Sequence, residues 1–285
     1  MKQSSLQTII LTTLAMIAFA SNSLLNRLAL GQDAIDATSY TTIRLVSGAV
    51  MLFILASLQR KKDQATLRGG WVSAAFLFLY AISFSFAYLS LSTGTGALIL
   101  FGSVQVTMIV VALRSGERPH MMEWIGLILA LGGLVYLVLP GLTAPSPLGS
   151  GLMTIAGIAW GFYTLRGRGS QNPLGDTAGN FMYSVPMVLV VLFFSLKGIS
   201  LTLNGILYAS LSGALASGMG YVIWYAALRG LSTTRAATVQ LSVPVIAAWS
   251  GVMFLAENVS ARLLIAGVLI LGGIALALSS RGKKA

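Results

Sequence analysis

The chain has few of the residues on which most catalytic and metal chemistry depends. It contains no cysteine, a single histidine and only seven acidic residues in 285. Disulfides, thiol nucleophiles and thiolate metal sites are therefore excluded, and His120 by itself cannot form a histidine metal cluster. Catalysis inside a membrane would need a constellation of ionisable groups that these numbers do not supply. We therefore expect no catalytic residue, no metal and no cofactor, and we predict that the protein is not an enzyme.

Charge is scarce as well, and apolar residues take its place. Charged residues make up 9% of the chain and apolar residues 56%, with a mean hydropathy of +0.86, whereas an average soluble domain carries roughly 25% charged residues. Lipid is therefore expected to be the main solvent, with the first apolar stretch retained as a helix rather than cleaved as a signal peptide. A bilayer is spanned by about 20 mostly apolar residues. This criterion predicts an all-α integral membrane protein with ten helices, at 6–29, 38–58, 71–91, 95–113, 123–140, 149–166, 178–197, 204–228, 233–255 and 259–280.

The basic residues are distributed unevenly between the two sides of these helices. If the N-terminus is cytoplasmic, 14 of the 18 lysines and arginines fall on the cytoplasmic side, and only Arg27, Lys197 and Arg262 fall on the other. This positive-inside pattern predicts cytoplasmic N- and C-termini in a multi-pass protein of the bacterial inner membrane. The net charge of +11 then reflects loops beside anionic lipid, and a nucleic-acid partner is not expected.

The two halves of the chain resemble each other. A shift of 140 residues places residues 91–93 on 231–233, Glu117 on Glu257, and the glycine pair 132–133 on 272–273. Each half would contain five helices, an odd number, so the second half must have the opposite orientation in the membrane. The sequence therefore predicts two inverted repeats, residues 1–142 and 143–285. Such a design places a substrate site at the repeat interface and permits alternating access.

The order of these features resembles a known transporter family. The segment Ala159-Trp160-Gly161-Phe162-Tyr163 lies in the sixth helix, and in both halves a glutamate precedes a helix that contains a Gly-Gly pair. Over essentially the whole chain this pattern is similar to EamA-type members of the drug/metabolite transporter superfamily. Within it, the chain looks most similar to the YddG-like bacterial exporters of aromatic and other amino acids. The resemblance implies five-plus-five helices and export of a small, amino acid-like metabolite.

The sequence departs from that family pattern at several positions. Ser21 and Asn22 stand where Trp-Gly is common in the first helix, and the proline often found before the arginine of the second helix is absent. Gln105 replaces a proline in the fourth helix, whereas the ninth helix keeps Pro244. These departures concern the identity of the substrate more than the fold. The sequence does not determine an oligomeric state.

No acidic residue is predicted deep in the membrane. Proton- and sodium-coupled transporters usually place acids or histidines there, so we expect uncoupled export that is driven by the substrate gradient. Glu257 alone could reach an outer vestibule, although a solvated helix end is its other interpretation. The acids fall in loops or at helix ends, at Asp33, Asp36, Asp63, Glu117, Glu123, Asp176 and Glu257.

Arg44 is the one cation predicted inside a helix. It lies roughly 9 Å along the axis of the second helix, at 1.5 Å per residue. Two roles are open: it could bind the carboxylate of a substrate, or it could reach outward to backbone carbonyls or a lipid headgroup. The resemblance implies a peripheral second helix, which favours the second role.

Polar and aromatic residues at mid-helix are the remaining candidates for a substrate site. An amide in hydrocarbon without a partner is costly, so Asn22 and Gln105 are expected to face the bundle interior, either lining a cavity or bonding between helices. The family position of Trp160 favours cavity lining. The predicted substrate-binding residues are Arg44, Asn22, Tyr80, Ser83, Gln105, Trp160, Tyr163, Tyr221, Trp224, Gln240 and Ser242.

Small residues and a proline predict where helices pack closely or bend. Ala209, Gly213 and Ser217 form a small-residue face on the eighth helix, for which close packing is expected. The Gly-Gly pairs at 132–133 and 272–273 are expected to seat the fifth and tenth helices against neighbours. The predicted hinge or gating positions are Gly218, Gly220 and Pro244.

Two other functions fit the same features. A pore or channel would also use polar interior residues, and a related exporter could carry drug-like molecules or other metabolites. A nucleotide-sugar carrier is disfavoured because, apart from Arg44, no cation is predicted deep in the membrane to bind phosphates. Saturable counterflow in liposomes would favour a carrier, and unsaturable conductance would favour a channel.

Overall fold

The computed structural model describes residues 4–30, 34–60, 68–91, 93–116, 118–138, 146–255 and 261–279. Within these ranges the only extended pairing is one isolated antiparallel bridge between Ile35 and Leu201. The rest of the regular structure is helical, which confirms the predicted class. The α-helices are α1 (Ser5–Leu30), α2 (Ala37–Arg60), α3 (Trp71–Ala87), α4 (Thr93–Arg114), α5 (Met121–Val138), α6 (Pro147–Gly167), α7 (Pro173–Phe194), α8 (Leu203–Leu211), α9 (Gly220–Leu228), α10 (Thr233–Gln240), α11 (Ser242–Leu255) and α12 (Ala261–Ser279).

Capping residues set helix ends that hydropathy does not detect. The side chain of Asn172 accepts a hydrogen bond from the backbone N–H of Gly175 at 3.0 Å, and Pro173 occupies the first helical position. Both are typical of a helix N-terminus. Helix α7 therefore begins at Pro173, and the predicted start at 178 is wrong because the first turn is polar. Helix α3 ends at Ala87 rather than at 91.

Two of the predicted helices are interrupted. Between α8 and α9 the chain forms a π-helical segment, Ser212–Met219, within one continuous apolar stretch. Between α10 and α11 the helix breaks at Leu241. Pro244 has no N–H to donate to the carbonyl of Gln240, four residues earlier, which weakens the helix at this point. Interruptions of both kinds occur where transporters bind their substrates.

Five helices are long and apolar enough to cross a membrane among the residues that the structure describes. These are Ser5–Leu30, Ala37–Leu58, Pro147–Gly167, Pro173–Phe194 and the stretch Leu203–Leu228. Shorter apolar helices accompany them at Trp71–Ala87, Ile99–Arg114, Met121–Gly133 and Gly267–Ala277. Large apolar side chains point outward, for example Phe194 and Met253, as lipid-facing surfaces require. The protein is thus a multi-pass membrane protein, while the count of ten spans and the side of the termini stay predictions.

The helices pack in pairs that repeat between the two halves. Under the 140-residue shift, α1 corresponds to α6, α3 to the α8–α9 stretch, α4 to α10 and α11, and α5 to α12. The contact of α3 with α6 has its counterpart in that of α9 with α1, and the contact of α4 with α6 in that of α11 with α1. Corresponding helices also pack directly, α2 on α7 and α5 on α12. This is the contact pattern expected of two related halves.

Glycines allow one of these helix pairs, α5 and α12, to approach closely. A Cβ on Gly273 would lie 2.5 Å from the carbonyl oxygen of Gly126, and one on Gly133 would lie 2.8 Å from the Cβ of Leu269. A Cβ added to Gly132 or Gly272 would meet no described atom within 4 Å apart from the backbone of its own helix. Only one glycine of each pair therefore seats α5 against α12, and the expectation that both do so is wrong, because adjacent residues of a helix face different directions.

Candidate binding site around Arg44

Arg44 lies inside the helix bundle and not at its surface. Its side chain is 1% exposed. The Nε donates to the Ser217 hydroxyl at 2.9 Å, and Nη2 donates to the hydroxyls of Tyr221 at 2.9 Å and Tyr80 at 3.3 Å. The guanidinium also stacks near the Tyr80 and Phe84 rings, with its Cζ 5.4 and 5.9 Å from their centroids. The predicted outward reach to carbonyls or lipid is therefore not what the structure shows.

The charge of Arg44 is not balanced by any carboxylate that the structure describes. Asp36 precedes α2, Asp176 lies in the first turn of α7, and Glu123 pairs with Arg235. The second terminal nitrogen of Arg44, Nη1, is buried and has no hydrogen-bond partner among the described residues. A buried charge without a partner is costly. Such a group is typical of a site that binds an anion.

Close helix packing places the guanidinium there. Helix α2 crosses the π-helical segment so closely that a Cβ on Gly213 would overlap the carbonyl of Arg44. Gly48, one turn further along α2, would meet the Gly213 carbonyl at 2.9 Å if it carried a Cβ. The small-residue face predicted on the eighth helix is therefore a packing face against α2. It brings Ser217 and Tyr221 to the polar side chain of Arg44.

Arg44 and its three hydroxyl partners form what we call the Arg44 centre, and aromatic rings pack beside it. Trp160 lies with its ring centroid 4.7 Å from Tyr221, 5.0 Å from Tyr80 and 5.2 Å from Phe19. Edge and tilted ring contacts of this kind are favourable in buried clusters. The predicted residues Tyr80, Trp160 and Tyr221 thus form one contiguous group with Arg44. Around them the aromatic cluster is completed by Tyr163, Phe181, Trp224 and Tyr225.

Trp160 also contacts a second polar group, which contains Gln240 and Gln105. The indole Nε1 donates to Oε1 of Gln240 at 2.6 Å, and the Gln240 amide donates to the carbonyl of Ala236 at 3.2 Å. Gln105 donates to the carbonyl of Ala237 at 2.5 Å. Its own Oε1 is buried and has no partner among the described side chains and backbone groups. The two amides therefore bond between α4, α6 and α10, and one acceptor is left open.

The other predicted site residues are buried but lie at the margin of this centre. Asn22 accepts a hydrogen bond from Ser212 in the π-helical segment, and Trp224 donates to Thr164 at 3.3 Å. The carbonyl of Tyr163 accepts from the Tyr225 hydroxyl at 3.2 Å, and Ser83 is also buried. Ser242 donates to the carbonyl of Val239 at 2.7 Å, beside the helix break. In the part of the chain that the structure describes, none of these five residues forms a hydrogen bond with Arg44.

The predicted hinge residues lie at the two helix interruptions. Gly218 is inside the π-helical segment, and Gly220 follows it and packs on Ala18, where a Cβ would come within 2.9 Å. Pro244 is the third residue of α11, next to the break at Leu241. Their role in motion stays a prediction.

Sequence reasoning missed several residues of the centre. Ser217 was assigned to packing, yet it precedes Tyr221 by four residues and Trp224 by seven, so all three share one helix face. That spacing is a signal that could have identified it. Phe19 and Phe84 carry no such signal because phenylalanines are common throughout the chain.

Comparisons with known proteins identify the family. The sequence description of the EamA-like transporter family matches residues 6–139 and again residues 147–279. The chain belongs to the EamA-like transporter family. It is 51% identical over 275 residues to the uncharacterized protein PA1977 of Pseudomonas aeruginosa, covering 96% of each chain. It is 20% identical over 247 residues to the uncharacterized transporter YoaV of Bacillus subtilis, covering 82% of this chain and 85% of that one.

The fold has a solved counterpart. A protein crystal structure that is 18% identical in sequence superposes with a TM-score of 0.80, covering 98% of this chain and 100% of that one. At this identity the likeness shows the fold alone. The predicted membership in the EamA family of the drug/metabolite transporter superfamily is confirmed, and with it a role in membrane transport of small molecules.

An ion pair joins the halves of this EamA-like protein at the end predicted to be cytoplasmic. Glu123, in the first turn of α5, accepts from Nε of Arg235 on α10 at 3.0 Å. Its other oxygen accepts from the backbone N–H of His120 at 3.1 Å. The Glu123 side chain is buried, whereas that of Arg235 is about one-fifth exposed. The pair therefore links α5 to α10 across the predicted boundary of the repeats.

Hydrogen bonds around Asp36 join the halves of the EamA-like protein at the opposite end. Asp36 accepts from the backbone N–H groups of Ser39 at 2.9 Å and Ser200 at 3.0 Å, and Thr202 donates to the carbonyl of Ala34 at 3.0 Å. Partial burial by itself would raise the pKa of Asp36. The hydrogen bonds from Ser39 and Ser200 outweigh it and hold the pKa below its usual value of 3.8.

Four of the predicted acids, Asp33, Asp63, Glu117 and Glu257, lie outside the described residues. The three that are described lie before a helix or in a first helical turn.

Proposed function

We propose that this protein exports amino acids, aromatic and other neutral ones, from the bacterial cytoplasm across the inner membrane. In this proposal it is a carrier of the YddG-like branch that works by alternating access without a coupling ion. The observation that carries the proposal is the buried guanidinium of Arg44, which has no carboxylate partner among the described residues and lies beside a cluster of aromatic rings.

The carboxylate of an amino acid would bind at Nη1 of Arg44. Guanidinium N–H groups form charge-assisted hydrogen bonds with carboxylates, and the donors without a described partner here are those of Nη1. The other nitrogens are held by Ser217, Tyr80 and Tyr221. The group is therefore oriented before a substrate arrives, which reduces the entropy lost on binding.

Gln105 and Trp160 would provide partners for the ammonium and the side chain of an amino acid. Gln105 offers a buried amide oxygen without a described partner, and an ammonium group needs such acceptors. Trp160 connects the two polar groups, since it contacts Tyr221 at Arg44 and donates to Gln240. Its indole face would pack against an apolar or aromatic side chain.

The distribution of described acids supports transport without a coupling ion. Proton and sodium coupling usually require an acid inside the membrane, and the described carboxylates lie at helix ends, one of them in an ion pair. The two halves contact each other at both ends of the molecule, through the Glu123–Arg235 ion pair at one end and the hydrogen bonds around Asp36 at the other. These contacts support alternating access. Each must open when its side opens.

Counterflow in proteoliposomes tests the proposal. A panel of labelled amino acids is offered to vesicles loaded with the same unlabelled amino acid, for the wild-type chain, Arg44→Gln, Trp160→Ala and Gln105→Ala. Arg114→Gln is the matched control, because Arg114 is exposed at the end of α4. We expect saturable counterflow of neutral and aromatic amino acids that Arg44→Gln abolishes and Arg114→Gln does not. If no amino acid moves, the proposed substrate is wrong, and unsaturable conductance would indicate a channel.

The uncoupled mechanism has its own test. Flux is measured at a fixed substrate gradient while the proton gradient across the vesicle membrane is varied. Flux should not change with the proton gradient. Steep dependence on it would overturn the uncoupled mechanism and leave export intact.

A further inference from the structure

We propose that the Arg44 centre binds one small inorganic monoanion, chloride in the cell, and that a substrate carboxylate competes with it for the same donors. The binding of the anion depends only on the geometry of the centre. The competition with a carboxylate rests on the proposed function.

Two hydrogen-bond donors of Arg44 have no partner among the described residues. Ser217, Tyr80 and Tyr221 each use a hydroxyl oxygen to accept from Arg44, so their O–H protons must point elsewhere. The Tyr221 hydroxyl is also hydrogen-bonded to Ser217 and Tyr80, whereas Nη1 of Arg44 has no acceptor among the described residues. The two N–H groups of Nη1 are therefore the unpartnered donors, and they belong to a buried positive charge.

The surroundings favour a small, singly charged anion. Arg44, Ser217 and Tyr221 are each only 1% exposed, and the rings of Tyr80 and Phe84 lie against the guanidinium. An isolated buried cation is costly in an apolar interior. One monoanion neutralises it, whereas a dianion would leave an excess negative charge in the same environment.

The same donors cannot hold both chloride and a carboxylate. Nη1 is the one guanidinium nitrogen without a described partner, so either ligand must use it. Chloride should therefore compete with the substrate, raising the substrate concentration for half-maximal counterflow and leaving the maximal rate unchanged. The substrate in turn should displace bound chloride.

Equilibrium dialysis of the purified full chain against radioactive chloride tests the binding. Ionic strength is held constant with methanesulfonate, a bulkier monoanion. We expect one saturable chloride per chain. Arg44→Gln should raise the dissociation constant by about tenfold or more, equivalent to ~1.4 kcal/mol, and Arg114→Gln should leave it unchanged.

Hydroxyl variants keep the test valid if Arg44→Gln does not fold. Tyr221→Phe and Ser217→Ala each remove a hydroxyl that orients the guanidinium and retain its charge, so each should weaken chloride binding several-fold. Absence of saturable binding to the wild type, or equal binding by the wild type and these variants, would overturn the inference.

The outcomes separate the two proposals. Chloride binding without amino acid counterflow would contradict the proposed function and leave the anion site standing. Counterflow with no bound chloride, and with no change in half-saturation when chloride is added, would contradict the anion site alone.

Discussion

Replacing Arg44 by methionine should abolish transport without unfolding the protein. Breaking a buried ion pair usually costs about 3–5 kcal/mol, because the remaining charge is left without a partner. Arg44 has no carboxylate partner among the described residues, so its removal leaves no such charge. Replacing a residue that only stabilised the fold would lower the stability and leave transport by the folded protein intact.

The expected change in unfolding free energy is the difference between two opposing contributions. Arg44 makes three hydrogen bonds to hydroxyls, each worth about 1.5 kcal/mol or more for a charged donor. Against them stands the desolvation of a buried cation, which costs several kcal/mol. The net change in unfolding free energy should therefore lie within about 2 kcal/mol of zero, which is a shift of several degrees at most in the melting temperature.

The assay combines two measurements on the same purified preparation. Melting is followed in detergent by intrinsic fluorescence, and counterflow is measured after reconstitution. Glu123→Gln is the comparison variant, because it breaks the buried side of the Glu123–Arg235 pair and should lower the melting temperature. The reasoning is refuted if Arg44→Met melts far below Glu123→Gln while its folded fraction transports normally.

Three further predictions concern other parts of the molecule. Hydrogen bonds hold the pKa of Asp36 below 3.8 in the folded protein. The stabilising effect of the Asp36 carboxylate is therefore complete at neutral pH and is lost as the pH falls through that folded-state pKa. The melting temperature of Asp36→Asn should fall less on acidification than that of the wild type. Gly213→Val should destabilise the protein by about 1–3 kcal/mol or more through overlap with α2, measured as a lower melting temperature. Trp160→Phe keeps a ring but removes the hydrogen bond that holds Gln240. The free energy of unfolding should fall by about 1 kcal/mol, and half-saturation in counterflow should rise because Gln240 is no longer held in place.

Each of these has a control. Asp176→Asn tests whether acidification acts at Asp36 or generally, and an equal acid response of Asp36→Asn and the wild type would contradict the first prediction. Gly132→Ala adds a Cβ that meets no described atom within 4 Å beyond its own helix backbone, and a loss of stability as large as that of Gly213→Val would contradict the second. Unchanged half-saturation in Trp160→Phe would show that the hydrogen bond to Gln240 does not shape the site.

The helical class and the membrane setting could be predicted because they depend on composition along the chain. Stretches such as 6–29 and 38–58 are apolar enough to require helices, since a backbone in lipid must satisfy its own hydrogen bonds. Helix interruptions are harder to predict. The π-helical segment Ser212–Met219 has the hydropathy of an ordinary span, and it lies where α2 packs closely against Gly213.

The sequence by itself determined the family, the all-helical architecture and the set of polar residues that must lie inside. It could not determine which of them meet, because partners such as Arg44 and Ser217 are 173 residues apart and hydropathy carries no information about direction around a helix. Only the tertiary structure decided that the guanidinium points inward, between Tyr80 and Tyr221. The close approach of α2 to Gly213 is the physical reason, since it leaves the long side chain of Arg44 within reach of hydroxyls and away from lipid.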